Sequence, residues 1–276
     1  MQGRGATRFD PVALGRVLGM DRAPEVKTIR RKIGLLAETG RAGELITALA
    51  THHLNNNGGG EDGGEDLAAV LYVDGHVRAY QGTKKIAKVH STRLKFPVPA
   101  TEETWVSDSQ GSPVFVVMAA PGAALTGELR RLLPSLRTII GDDRDVLVGF
   151  DRGGWSPALF QHMAGKGFDV LTWRKGATED ITENLFTSVT HTDEHGQSSS
   201  WSAADTLVDL LLSKTGEVFR MRQITRIVPA RGGDTRQIHI LTTNTDMGAG
   251  EIIYRMGAPG LLTVRYSVWV QGFLIS

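Results

Sequence analysis

The stretch Leu67-Ala68-Ala69-Val70-Leu71-Tyr72-Val73-Asp74-Gly75 decides how the rest of the chain is read. A continuous apolar run of this kind suits a strand buried on both faces, in the middle of a sheet. Asp74-Gly75 reads as a tight turn that returns the chain through His76-Val77-Arg78-Ala79-Tyr80 as an antiparallel hairpin. Further out, Thr104-Trp105-Val106 and Val114-Phe115-Val116-Val117-Met118 flank a second turn signal, Ser109-Gln110-Gly111-Ser112. A helix is expected over about 125–140, kinked at Pro134. Val146-Leu147-Val148-Gly149-Phe150 is another buried run and ends at Asp151. Ser156-Pro157 opens a helix through Met163, Gly165-Lys166-Gly167 closes it, and Phe168-Asp169-Val170-Leu171-Thr172-Trp173 is a further strand.

The order is therefore strand, strand, strand, helix, strand, helix, strand. Hairpins link the early strands, whereas helical crossovers force the later ones to pair in parallel. This predicts an α/β domain over 67–256 with a mixed sheet in the ribonuclease-H-like order. Order alone says little about chemistry, because many activities share a fold. Before it lies an N-terminal helical region, 1–54. There Ile29, Ile33 and Leu36 share a helix face, Ala23-Pro24-Glu25 fits a helix start, and Lys27, Arg30, Arg31 and Lys32 crowd the first turns. Those cations read either as a solvated face or as a DNA-contacting one. Residues 55–66 (Asn-Asn-Asn-Gly-Gly-Gly-Glu-Asp-Gly-Gly-Glu-Asp) cannot bury a core and read as a flexible linker. A β-rich insertion is expected at about 178–236, and Asp246 reads as a helix N-cap.

Composition bounds the function. The chain has 276 residues, 41% apolar and 22% charged, within the ordinary range of a globular protein. Lys+Arg number 31 against 30 Asp+Glu, a net charge of +1, so any electrostatic argument must rest on local clusters. The absence of cysteine excludes disulfides, thiolate zinc sites and cysteine nucleophiles. No run reaches the ~18–20 apolar residues of a membrane span, so no membrane partner and a cytoplasmic location are expected.

Two carboxylates occupy equivalent places: Asp74 ends the first buried strand and Asp151 the fourth. In a sheet of this order those strands are parallel neighbours, which places the two acids within one or two strand spacings of ~4.8 Å. Acids that close repel unless a cation bridges them. Mg2+ or Mn2+ takes oxygen ligands, and two such ions ~3.5–4 Å apart support in-line phosphodiester displacement. Either aspartate alone reads equally well as a turn residue or cap.

Several segments follow in a fixed order: Leu71-Tyr72-Val73-Asp74-Gly75-His76-Val77, Thr104-Trp105-Val106-Ser107-Asp108, Phe150-Asp151-Arg152-Gly153-Gly154-Trp155-Ser156-Pro157 and Ile240-Leu241-Thr242-Thr243-Asn244. Ala23-Pro24-Glu25-Val26-Lys27-Thr28-Ile29-Arg30-Arg31-Lys32 precedes them. Together, from about Leu14 to Met256, the chain resembles a bacterial DDE transposase of the insertion-sequence, IS4-like type. The resemblance implies a ribonuclease-H-like domain that cuts and rejoins transposon ends with two aspartates and a glutamate. Asp74 and Asp151 match the aspartates as catalytic and metal-binding residues. It further implies double-stranded DNA, as transposon ends and target, and a homodimer in the competent form. The family's Tyr-Arg-Met run is similar to Tyr254-Arg255-Met256, and there it leads into a helix bearing Arg-Trp-Arg-Gln-Glu-Asn-Phe-Phe, whose glutamate is the third ligand. This chain departs after Met256. Thr263 stands near the glutamate's place, Pro259-Gly260 would break the helix, and 257–276 reads as an aberrant tail of a truncated or frameshifted copy. Glu251 is a substitute ligand or a solvent-facing helix residue.

Between Gly75 and Thr101 stand Arg78, Lys84, Lys85, Lys88, Arg93 and Lys95 with no acid, a stretch suited to following a DNA backbone or a solvated loop. Arg152 reads as a contact to the scissile phosphate or as half of an ion pair. Trp155 reads as a base-stacking platform or as core. His191, Asp193 and His195 could suggest zinc, but a loop this polar favours solvation. Two functional readings remain: a Mg2+- or Mn2+-dependent transposase impaired by loss of its third carboxylate, and a catalytically dead remnant that binds DNA weakly.

Overall fold

In the computed structural model, residues 10–17, 19–57, 69–91, 95–142, 144–230 and 232–257 are described. The chain divides into two compact units, with the boundary between Leu49 and Ala50. The first holds α1 (Pro11–Val17), α2 (Val26–Glu38) and the start of α3 (Ala42–Asn57). Gly40, at φ +68°, takes the left-handed conformation that stops the helical run between α2 and α3. The apolar face of α2, with Ile29, Ile33 and Leu36, is exposed. Helix α3 continues to Asn57, into the stretch read as linker, while 58–66 and 258–276 lie outside the described residues.

The second unit is built on one ten-stranded sheet. Strand β1 (Ala69–Ala79) is followed by β2 (Lys88–Ser91), β3 (Phe96–Ser107), β4 (Pro113–Ala119), α4 (Leu125–Ile140), β5 (Val146–Phe150), α5 (Pro157–Ala164) and β6 (Phe168–Trp173). Then come β7 (Thr187–Thr192), β8 (Ser198–Leu211), β9 (Val218–Pro229), β10 (Thr235–Thr242) and α6 (Ala249–Gly257). Spatially the order is β2-β3-β1-β5-β6-β10-β9-β8-β7, with β4 also paired to β3. β1, β5 and β6 are parallel, as the crossovers through α4 and α5 require, and β3 runs antiparallel to β1.

Every residue of β5 is buried, which accounts for its unbroken apolar sequence. In α4, Leu129, Leu132, Leu133, Leu136, Ile139 and Ile140 recur at helical spacing and are all buried. The helix runs through Pro134 as one element. Val73 pairs with Phe150 and Tyr72 with Gly149, so Phe150 and Tyr72 point to opposite faces. Phe160 of α5 packs on Phe150, and the Tyr72 hydroxyl donates to the Arg255 carbonyl of α6, so these helices cover opposite faces.

Two expectations are corrected. Asp74-Gly75 forms no turn: β1 continues to Ala79, because residues 74–79 stay in unbroken register with β3. The hairpin partner is therefore β3 rather than His76–Tyr80. The 178–236 segment holds β7, β8 and β9, and these strands join the same sheet through β10, which pairs antiparallel with β6. Asp246 does not cap α6, since the Ile252 N–H bonds to the carbonyl of Gly248. Asn244 orders that approach instead. It accepts from the Asp246 and Met247 N–H groups and donates to Asp169, while Arg222, paired with Asp205, donates to the Met247 carbonyl at 2.6 Å.

Gly149 has no room for a side chain, since a Cβ there would meet the Tyr72 ring at 2.6 and 2.8 Å. Gly149→Ala should therefore destabilise the protein by about 1–3 kcal/mol through overpacking, read as a lower urea midpoint at unchanged m-value. An unchanged midpoint would mean that the Tyr72 ring moves aside at no cost.

Candidate nucleic-acid and metal site

The last parallel pair of β1 and β5 is Val73 with Phe150, and the next residue on each strand is an aspartate. Asp74, within β1, and Asp151, just past the end of β5, thus stand at one level on adjoining strands, about 4.8 Å apart in strand spacing. Both line a single cleft of about 170 Å³, together with Glu102, Thr104 and Glu128.

The two acids differ in their surroundings. Asp151 caps the short 3₁₀ turn Arg152–Gly154 and accepts from the Gly153 N–H at 2.7 Å. A Cβ on residue 153 would lie 2.8 Å from the Asp151 oxygen, so a side chain there would push the carboxylate aside. Asp74 is open to solvent along the cleft mouth, yet the protein packed around its carboxyl still disfavours the charged form. Burial first, then the negative charge of Asp151, push Asp74 up to about 6, against a smaller opposing effect from the Gly75 backbone.

Sequence reasoning passed over Glu102 and Glu128. Glu102 accepts from the Gly122 N–H at 2.6 Å. Glu128, in the first turn of α4, is buried and paired with Arg131. Nothing in its place along the helix singles it out, because only the three-dimensional packing brings it to the cleft.

The other sequence-derived residues scatter. Arg78 is held by the buried Glu103 at 3.1 Å. Lys84, Lys85 and Lys88 are exposed, the first two in the loop before β2 and the last on that strand. Arg93 lies outside the described residues. Arg152 is exposed directly after Asp151. Trp155 is half-buried, edge-on to Phe160 with ring centres 5.5 Å apart. Glu251 does not line the cleft; it is half-buried rather than solvent-facing and bonded to Arg255 at 2.6 Å. His191 lies on β7 and packs on the Tyr254 ring, while Asp193 accepts from the His195 and Gln197 N–H groups in the turn that follows; among the described residues these three form no ligand set.

Among the described residues, no three His, Asp or Glu side chains converge on a metal position. Mg2+ does not require three, since it commonly takes one or two carboxylates and completes its shell with water and phosphate oxygens. Two adjacent carboxylates whose repulsion raises the pKa of one are a donor set that fits such a cation.

The sign of the Asp74 shift gives a test. Between about pH 4 and about pH 6 the folded chain keeps a proton that the unfolded chain has released. The resulting stability is complete below pH 4 and lost as pH rises through about 6. In metal-free buffer, Asp74→Asn should remove that part of the decline, measured as urea midpoints from pH 4 to 7.5. Parallel curves for the two proteins would show that Asp74 titrates normally.

No curated protein matches the chain. No helix among the described residues is long and apolar enough to cross a membrane. Residues 5–258 match the family described as "Transposase protein". That match spans the helices of the first unit, the whole sheet and both aspartates of the cleft, and the chain belongs to this transposase family.

Proposed function

We propose that the chain is a DDE transposase of the insertion-sequence, IS4-like type, with a ribonuclease-H-like domain that cleaves and transfers DNA strands at transposon ends. The observation that carries this reading is the emergence of Asp74 and Asp151 from paired parallel strands into one cleft. The order β4-β3-β1-β5-β6, with β3 antiparallel to β1 and helical crossovers before β5 and β6, supports the fold assignment. Membership of a transposase family implies DNA as the partner.

Asp74 and Asp151 would hold Mg2+ or Mn2+. Such ions, when bound, stabilise the developing charge on the attacking and leaving oxygens of a phosphodiester. Asp74 has to be ionised to serve, so it works above about pH 6 unless a cation draws its proton off earlier. One oxygen of the Asp151 carboxylate accepts from the Gly153 N–H, which fixes the group at the cleft. Lys84, Lys85 and Lys88 supply exposed cations for the DNA backbone. The competent form is a homodimer in this reading.

The third carboxylate is lost in this copy. The family match ends at residue 258, two residues past the Met256 at which the resemblance breaks off, and Glu251 is engaged by Arg255. That pairing and the lack of a third converging acid among the described residues favour, as a second reading, a remnant that binds DNA without cutting it.

A nicking assay on DNA carrying the element's ends separates the two. Under the first reading, slow Mg2+-dependent nicking drops at least about a hundredfold in Asp74→Ala and in Asp151→Ala. Nicking that survives Asp74→Ala overturns the site, and binding without nicking selects the remnant. Replacing Lys84, Lys85 and Lys88 with alanine should weaken binding across sequences and flatten the log–log salt slope by about 0.9 per lost phosphate contact. An unchanged slope would remove these lysines from the interface.

A further inference from the structure

A carboxylate nearly excluded from water lies one strand away from Asp74, and the cleft does not use it. Glu103 is 6% exposed. One of its oxygens accepts both from an Arg78 guanidinium nitrogen at 3.1 Å and from the Trp105 indole Nε1–H at 3.0 Å. A buried charge is costly unless it is paired and hydrogen-bonded, so Arg78 and Trp105 are what make Glu103 tolerable there.

The register gives this cluster a purpose. Trp105 is the cross-strand partner of Asp74 and Glu103 that of His76, while Arg78 lies two residues further along β1. Side chains two apart on a strand point the same way, and directly opposite Cβ atoms are about 4.5–5.5 Å apart. Asp74, Arg78, Glu103 and Trp105 therefore share one side of the β1–β3 ladder. Among the described residues, β1 pairs with β5 only as far as Val73, and from Asp74 onward its strand pairing is with β3. The position of Asp74 thus depends on the β1–β3 pairing, across which Arg78 reaches Glu103 while Trp105 of β3 binds the same Glu103 oxygen.

We propose that Glu103 is a positioning residue: by binding Arg78 and Trp105 it locks β1 past the end of its parallel partner and sets the direction of the Asp74 carboxylate. This rests on the reading of Asp74 and Asp151 as cation ligands, and it gives Arg78 a task within the protein. Partners that orient ligands typically control metal affinity by about 10–100-fold.

The test is Mn2+ binding to the full chain, followed by electron paramagnetic resonance well below the unfolding midpoint, with no DNA and no turnover. Wild type should bind Mn2+, Asp74→Asn should abolish binding, and Glu103→Gln and Arg78→Met should each weaken it about tenfold. Arg78→Lys, which keeps the cation, should recover most of the affinity. If Glu103→Gln does not fold, the two Arg78 variants carry the comparison. Should Glu103→Gln and Arg78→Met bind as tightly as wild type and only unfold earlier, the tie is a stability element and the positioning role is wrong. Should wild type bind no Mn2+, or Asp74→Asn bind equally well, the cation site itself fails and the positioning role with it.

Discussion

The parallel pairing of β1 with β5 governs this molecule. Five register pairs, from Ala69–Val146 to Val73–Phe150, bring together two segments that lie far apart in sequence. The pairing is enforced from both sides. The α4 crossover sets its direction, while Gly149 leaves space for the Tyr72 ring, whose hydroxyl reaches α6. Once the ladder is formed, two carboxylates project where the hydrogen bonding stops. Burial of the Asp74 carboxyl, and then its repulsion by Asp151, are the cost of that geometry.

Much of this was legible in the sequence because buried strands leave a strong signal. The uninterrupted apolar runs before Asp74 and Asp151, and the helical spacing of Leu129 to Ile140, survive a simple reading by period. The points missed share a cause. Asp74-Gly75 has turn chemistry, but a tertiary ladder with β3 overrides that local preference and keeps the strand extended. The part played by Asn244 depends on Asp169, which is remote in sequence, and no window of neighbouring residues contains both.

The cleft shows the same division. An apolar run followed by an acid located the two aspartates, whereas Glu102 and Glu128 reach the cleft only through three-dimensional packing. Arg78 looked like one more cation in a basic stretch, yet its partner is an acid on the neighbouring strand. Charge counted along a chain does not distinguish a cation that faces solvent from one already neutralised across a sheet.

The long insertion has a consequence for handling the protein. β7 pairs with β8 only up to Ala203, so the outer rim of β8 from Ala204 to Leu211 is bonded on one side alone among the described residues. That rim carries Leu207 and Leu211, 68% and 65% exposed, interrupted by Asp205 and Asp209. An open strand margin with apolar side chains invites stacking by another polypeptide, and interspersed acids are a common guard against it. Those two aspartates are also tied to Arg222 and Arg220, so the guard is partly neutralised. Concentrated solutions of this protein will therefore be most prone to self-association along this margin, far in sequence from the two aspartates of the cleft.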